Sequence, residues 1–179
     1  MASHDVFQGW LTKRGAKVTS WRRRWFTLDA KYSLSYHESE RSKPIRTIPM
    51  GEINAVIPAG ACGVPFPVFD PERCFGIDTN VSPGGRIFFV FADTVEEAMQ
   101  WRAFIWVTVM KRTGAEVHRQ RAAETLFQYI SAHPQAIEHI VGAGAISVLS
   151  EISRTLPACK DLYTSVLQLI GNTASKVLV

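Results

Sequence analysis

The sequence predicts an all-β barrel of antiparallel strands, capped by one amphipathic helix and extended by a further helical segment. Three observations carry that prediction. From Val6 to Phe91, short runs of alternating apolar and polar residues are separated by turn residues. At Asp93 and Thr94 the apolar period lengthens from that of a strand to that of a helix. After Thr113-Gly114 the remainder reads as helices divided by Gly and Pro. The chain has 179 residues, 46% hydrophobic and 20% charged, which is enough for one domain of ordinary size plus a smaller piece and unlike a disordered or collagen-like chain.

Val6 to Lys13, stopped by Gly15, is the first strand. Trp21 to Leu28, ending at Asp29-Ala30, is the second, and Tyr32 to His37, followed by polar Glu38 to Lys43 and Pro44, is the third. Arg46 to Val56 is the fourth. Pro58 to Pro71 holds Pro at 58, 65, 67 and 71 and Gly at 60 and 63, so it lacks the donors of a central strand and reads as a loop. Cys74 to Thr79 and Arg86 to Phe91 form a hairpin around Pro83-Gly84-Gly85, for about seven short strands in all.

Thr94 with Glu97 three residues on is a capping box, and Val95, Ala98, Trp101, Ile105 and Thr108 then fall on one helical face. An open barrel leaves an apolar mouth that must be covered, which makes this helix its plug and Trp101 the stopper. Ala115 to Ala132, Gln135 to Val141, Ala145 to Thr155 and Cys159 to Ile170 follow as helices, the last stopped by Gly171-Asn172. The domain boundaries are therefore 5–112 and 115–179. The apolar ending Val177-Leu178-Val179 implies either that more chain follows or that this tail docks on the rest.

Several function classes are excluded at this stage. The apolar runs fall well short of the roughly 20 residues of a bilayer span. Met1 to Trp10 has neither a basic leader nor an apolar stretch, so nothing marks the chain for secretion. Cys62, Cys74 and Cys159 are odd in number and widely spaced, which implies no disulfide framework and no zinc site, and a reducing cytosol is the expected setting. His4, His37, His118, His133 and His139 lack metal-ligand spacing. Gly142-Ala143-Gly144-Ala145 lacks the third Gly of a dinucleotide fingerprint and follows a helix, so it is a corner between helices. With no G-x-S-x-G, P-loop or H-E-x-x-H, the expectation is a non-enzyme without a cofactor.

The net charge of +4 is unevenly placed: residues 1–49 carry +6, 50–112 carry −2 and 113–179 carry none. Lys13, Arg14, Lys17, Arg22, Arg23 and Arg24 fall within twelve residues that contain no acid, the signature of a phosphate-bearing partner. Strand alternation decides what these cations do. Arg22 and Arg24 share a face with Phe26 and Leu28, Lys13 with Leu11, and Tyr36 with Leu34, whereas Arg23 shares the opposite face with Trp25 and Thr27. If the apolar members form the core, Lys13, Arg22, Arg24 and Tyr36 converge on one pocket at the barrel rim. A phosphate ester there would accept charge-assisted hydrogen bonds, each contributing about 1.5–3 kcal/mol. Nucleic acid is the competing phosphate partner, because Trp21, Trp25 and Phe26 interleave with arginines. Against it, alternation assigns Phe26 to the core and confines the basic patch to one rim.

Gly9-Trp10-Leu11-Thr12-Lys13, Trp21-Arg22-Arg23-Arg24-Trp25-Phe26-Thr27-Leu28 and the helix with Trp101 resemble a pleckstrin-homology domain over roughly residues 5 to 112. The resemblance implies a phosphoinositide headgroup site at Lys13, Arg22 and Arg24, with Tyr36 matching a third-strand Tyr and Lys17 in the headgroup loop. Arg46 falls within one residue of a further ligand-binding Arg, and Arg14 and Arg23 add peripheral attraction. Where that family's tighter binders carry another loop cation, this chain has Thr19 and Ser20. Residues 135 to 175 are similar to one armadillo repeat, which must stack on another element or a partner protein to bury both faces. The implied role is non-catalytic recruitment to phosphoinositide-bearing membrane as a peripheral cytoplasmic protein, with residues 115–179 as a protein-interaction surface. The alternative is a protein-interaction scaffold that binds no specific lipid.

Overall fold

The computed structural model describes residues 5–29, 31, 33–80, 83–112, 116–155 and 160–177. Seven strands build one antiparallel sheet: β1 (Asp5–Arg14), β2 (Trp21–Asp29), β3 (Ser33–His37), β4 (Pro44–Pro49), β5 (Ala55–Pro58), β6 (Cys74–Asp78) and β7 (Ile87–Phe91). Their order is β4-β3-β2-β1-β7-β6-β5, so every pairing joins strands consecutive in sequence except that of β1 with β7. That exception is short, Thr12↔Phe91 and Lys13↔Val90, and it ties the two halves of the sheet together.

The expected fourth strand is in fact two. Pro49 has no N–H to give a ladder, and the chain turns through a 3-10 helix at Met50–Glu52 before β5. Met50 and Ile53 are fully buried, and the Asn54 N–H donates to the Asp78 carbonyl at 2.8 Å, which sets β5 beside β6 instead of continuing β4. The hairpin of β6 and β7 forms as its alternation requires. It is closed by Thr79, whose N–H and Oγ1 both donate to the Arg86 carbonyl at 2.9 and 2.8 Å. Leu11, Phe26, Leu28, Leu34 and Ile48 from one half of the sheet and Val56, Ile77, Phe88 and Val90 from the other are all buried, so alternation has picked the core face correctly.

Helix α1 (Val95–Arg112) begins with the expected capping box: the Thr94 N–H donates to Glu97 Oε2 at 3.2 Å and the Glu97 N–H to Thr94 Oγ1 at 3.1 Å. Ala98, Trp101, Ile105 and Thr108 are buried as the helical spacing requires. Burial is not confined to that face, however, because Arg102, Trp106 and Val109 are buried too. Part of the reason lies in α2 (Glu116–Ala132), whose Tyr129 stacks on Trp106 with centroids 5.0 Å apart and accepts a 3.1 Å hydrogen bond from Arg102.

The chain divides into two compact units, Met1–Ala98 and Met99–Val179, with the division inside α1. The expected junction at Thr113-Gly114 lies outside the described residues. The second unit continues with α3 (Ile137–Gly142), α4 (Ala145–Thr155) and α5 (Lys160–Val177) around Ala123, Leu126, Ile130, Ile140, Leu149, Ile152, Val166 and Ile170. Gly144, at φ +87°, makes the expected corner between α3 and α4. Gly171-Asn172 does not stop α5, which runs on to Val177; a helical Gly costs only about 1 kcal/mol, and packing at Val166 and Ile170 upstream outweighs it. Cys159, Leu178 and Val179 lie outside the described residues. Among the described residues no single helix is long and apolar enough to cross a membrane.

Candidate anion-binding site

The site lies where β1 hands the chain to β2. The Gly15 N–H donates to the Ser20 carbonyl at 2.9 Å, and a Cβ on Gly15 would collide with the Val18 carbonyl, so only glycine lets the loop fold back this tightly. The folded loop brings Val18 and Ser20 against the strand ends. They line a cleft of about 240 Å³ together with Lys13, Gly15, Arg22, Arg24, Tyr36 and Ile45.

Register explains why these side chains meet. Lys13 pairs with Arg22, Leu11 with Arg24, and Phe26 with Tyr36, so the inward faces of β1, β2 and β3 run from apolar core to basic rim in step. Lys13 is only 7% exposed. Its Nζ sits 4.9 Å from the Tyr36 ring centroid and 5.7 Å from that of Phe88, and donates to the Arg14 carbonyl at 2.9 Å. Burial, followed by the positive charges of Arg86, Arg24 and Arg46, pushes the Lys13 ammonium down to about 8 from its ordinary 10.5. Among the described residues no carboxylate pairs with Lys13, Arg22, Arg24, Arg46 or Arg86. The cleft therefore gathers like charges without a counter-charge among the described residues, an arrangement that an incoming polyanion relieves.

The remaining expected residues fall elsewhere. Lys17 is exposed in the β1–β2 loop and does not line the cleft. Arg46 pairs with Tyr36 in register but lays its guanidinium 5.3 Å over the Phe88 ring, close enough to act on Lys13 yet off the cleft wall. Arg14 points the other way and lines a second cleft of about 410 Å³ with Thr19, Asn80 and Arg86. Arg23, on the outward face, makes a 2.7 Å ion pair with Asp93 and stacks 5.3 Å over Trp10. The aromatic residues weighed for base stacking are already engaged: Phe26 is buried, Trp21 packs on Phe66 and Phe91, and Trp25 packs edge-on against Trp10.

Two residues escaped sequence reasoning. Arg86 is the strongest charged neighbour of Lys13 and stands 4.4 Å from the Phe88 centroid, while Phe88 is the aromatic floor shared by Lys13, Arg46 and Arg86. Alternation on β7 contains the signal. Val90 is core, so Phe88 and then Arg86 continue that face to the rim, as Arg24 does on β2.

The family model described as PH domain matches residues 5–106, more than half of the chain. A PH domain-containing protein of Dictyostelium discoideum is 30% identical over 94 residues, 52% of this chain. The ankyrin repeat, PH and SEC7 domain-containing protein of the same organism is 24% identical over 140 residues, 69% of this chain. The chain spans only 19% and 13% of the lengths of these two relatives. The solution structure of the PH domain of human KIAA0053 protein aligns with a TM-score of 0.50 at 18% identity, covering 65% of this chain and 97% of that one. That likeness shows the fold.

Proposed function

The chain belongs to the PH domain family, generally non-catalytic binding modules that commonly take phosphoinositides or inositol phosphates, and from that premise we propose that its cleft binds a phosphoinositide headgroup and brings the protein to membranes bearing one. The observation that supports this most directly is the convergence of Lys13, Arg22 and Arg24 with Tyr36 on one cleft, without a carboxylate partner among the described residues. Each anion oxygen placed there gains a charge-assisted hydrogen bond and offsets repulsion between directly opposed Lys13 and Arg22. In this reading Lys13, Arg22, Arg24 and Tyr36 contact the headgroup. Lys17 reaches it from the loop, Arg46 and Arg86 raise the local potential, and Arg14 and Arg23 attract the anionic leaflet at longer range.

The test is calorimetric titration with inositol polyphosphates and sedimentation with phosphatidylcholine vesicles with and without phosphoinositides. Arg22→Ala/Arg24→Ala removes two charge-assisted contacts, and the affinity for both forms falls at least a hundredfold while the melting temperature of the unliganded protein does not fall. Equal binding by wild type and this variant overturns the assignment. The helical unit, with its armadillo-like order of short helix, glycine corner and longer helices, would serve as the protein-interaction surface. Val141 and Ile146, exposed on either side of the Gly144 corner, support that part of the proposal. The scaffold alternative prevails if wild type binds neither soluble headgroup nor vesicles.

A further inference from the structure

Resting on that reading, we infer that Ser20 is a phosphorylation site whose phosphoryl group, once attached, fills the cleft from within and shuts out the headgroup. Ser20 is the hydroxyl of the β1–β2 loop that lines the cleft with Lys13, Arg22 and Arg24. Alternation puts it there: Phe26, Arg24, Arg22 and Ser20 follow one another along the inward face of β2 and its approach, and two positions along a strand span about 7 Å. A phosphoryl group on Ser20 therefore extends toward the guanidinium of Arg22 and the ammonium of Lys13, which oppose each other in register. Thr19, the preceding residue, lines the other cleft with Arg14 and Arg86, so the two neighbouring hydroxyls serve different surfaces. Among the described residues the Ser20 hydroxyl has no hydrogen-bond partner, and Ser20 is half-buried, not enclosed. Ala16 to Thr19 ahead of it are exposed, and the hydrogen bond from the Gly15 N–H to the Ser20 carbonyl ties the loop at this end.

Charge selects the modifying enzyme and drives the outcome. Lys17 precedes Ser20 and Arg22, Arg23 and Arg24 follow it, with no acid from Lys13 to Arg24, so a kinase that docks this segment needs an acidic substrate groove. With a nucleoside triphosphate as donor, the Ser20 Oγ attacks the γ-phosphorus. The new O–P bond forms as the bond to the β,γ-bridging oxygen breaks, the nucleoside diphosphate leaves with that electron pair, and the hydroxyl proton passes to the kinase's carboxylate base. Phosphoserine brings roughly −1.5 to −2 of charge and three strong acceptor oxygens. It delivers them to a cleft whose like charges depress the Lys13 ammonium and have no carboxylate partner among the described residues. A phosphoryl group tethered this closely competes with any incoming phosphate at the millimolar effective concentration of a short linker. The unmodified serine leaves the cleft open, and its modification closes it.

The experiment compares the unmodified full chain with two forms carrying phosphoserine installed during translation, one at Ser20 and one at exposed Ser147 of α4 as a control. Each is titrated calorimetrically with inositol hexakisphosphate and melted without ligand. Phosphorylation at Ser20 lowers the affinity by about tenfold or more and raises the melting temperature, whereas phosphorylation at Ser147 leaves the affinity within about twofold. Unchanged affinity in the Ser20 form overturns the inference while leaving the headgroup site intact. So does a loss of affinity with a lowered melting temperature, because the modification then damages the loop instead of occupying the cleft. Failure of the unmodified chain to bind the hexakisphosphate removes the headgroup reading, and this inference with it. The acceptor is checked with ATP and the catalytic fragment of protein kinase C, a kinase that takes substrates with cations on both sides of the acceptor. Tandem mass spectrometry finds a phosphate on Ser20, and Ser20→Ala takes up none in this loop. Phosphate confined to Thr19, or absent from the loop, overturns the assignment.

Discussion

On the outward face of β2, Arg23 is satisfied by the protein: Asp93 holds its Nη2 at 2.7 Å and Trp10 lies under its guanidinium. One residue to either side, Arg22 and Arg24 face inward and upward to a rim where Lys13, Arg46 and Arg86 add positive charge and, among the described residues, no carboxylate answers. Arg24 donates to the Arg23 carbonyl at 2.9 Å. Three consecutive arginines on one strand thus divide into a paired structural cation and an unpaired cluster. Composition alone counts them equally; the presence or absence of a partner separates them. The cluster lowers the stability of the unliganded protein and becomes favourable only when something outside supplies the anion.

Arg86 offers the sharpest test of that division, since it belongs to the cluster without having been marked by any motif. Arg86→Ala removes the charge that acts most strongly on Lys13, and affinity for a soluble inositol polyphosphate falls about tenfold through the lowered local potential. Arg14→Ala, on the neighbouring cleft, changes it less than threefold. Calorimetric titration of both variants checks the pair of outcomes, and equal effects would dissolve the distinction between cluster and surroundings.

How Arg86 was missed says where a sequence stops being legible. Lys13, Arg22, Arg24 and Tyr36 could be found because each lies on a run whose core members, Leu11, Phe26, Leu28 and Leu34, fix the inward face by alternation. The hairpins joining those strands are local, so their register follows from short turns. Arg86 reaches the same rim only through the β1–β7 pairing, which joins residues nearly eighty positions apart and leaves no local pattern. Ile45 was hidden for a different reason: a bulge breaks the period of two that the reading relies on, and with it the expected position of Arg46. In α1, a single apolar stripe was the natural reading. Arg102 and Trp106 are buried as well because Tyr129 of α2 gives the guanidinium a hydroxyl and the indole a ring, a partnership only the tertiary structure supplies. At Gly171 the local stop signal was real but weak against packing.

Proton linkage at Lys13 probes the same contrast with a somewhat smaller effect. Its folded value of about 8 lies below the ordinary 10.5, so on raising the pH the folded protein releases this proton before the unfolded chain does. Between those two values the unfolded state binds more protons, and this group makes the unliganded fold more stable as pH rises. Polyanion affinity moves in the opposite direction, falling by up to tenfold from pH 7 to pH 9 as the ammonium is lost. Melting curves and titrations at the two pH values show these opposed trends in wild type. Lys13→Met, which fills the space without charge, abolishes both and raises the melting temperature at pH 7. Parallel trends in stability and affinity would mean that Lys13 is not the group that titrates in the cleft.

The outward face sets the lower limit of the scale. An exposed ion pair such as Arg23 with Asp93 contributes about 0–1 kcal/mol, because solvent screens it and two side chains must be held in place. Arg23→Ala and Asp93→Ala should each lower stability by no more than that, with a coupling in the double-mutant cycle that shrinks in high salt. Headgroup affinity in Arg23→Ala should stay within twofold of wild type. Asp93→Ala leaves Arg23 without its carboxylate, which converts it to the condition of the inward cluster, but on the wrong side of the strand. If being unpaired were sufficient for binding, that variant would gain affinity for a soluble polyphosphate. If position around a common cleft is also required, denaturant melts will register the lost pair while the titration curve stays where it was.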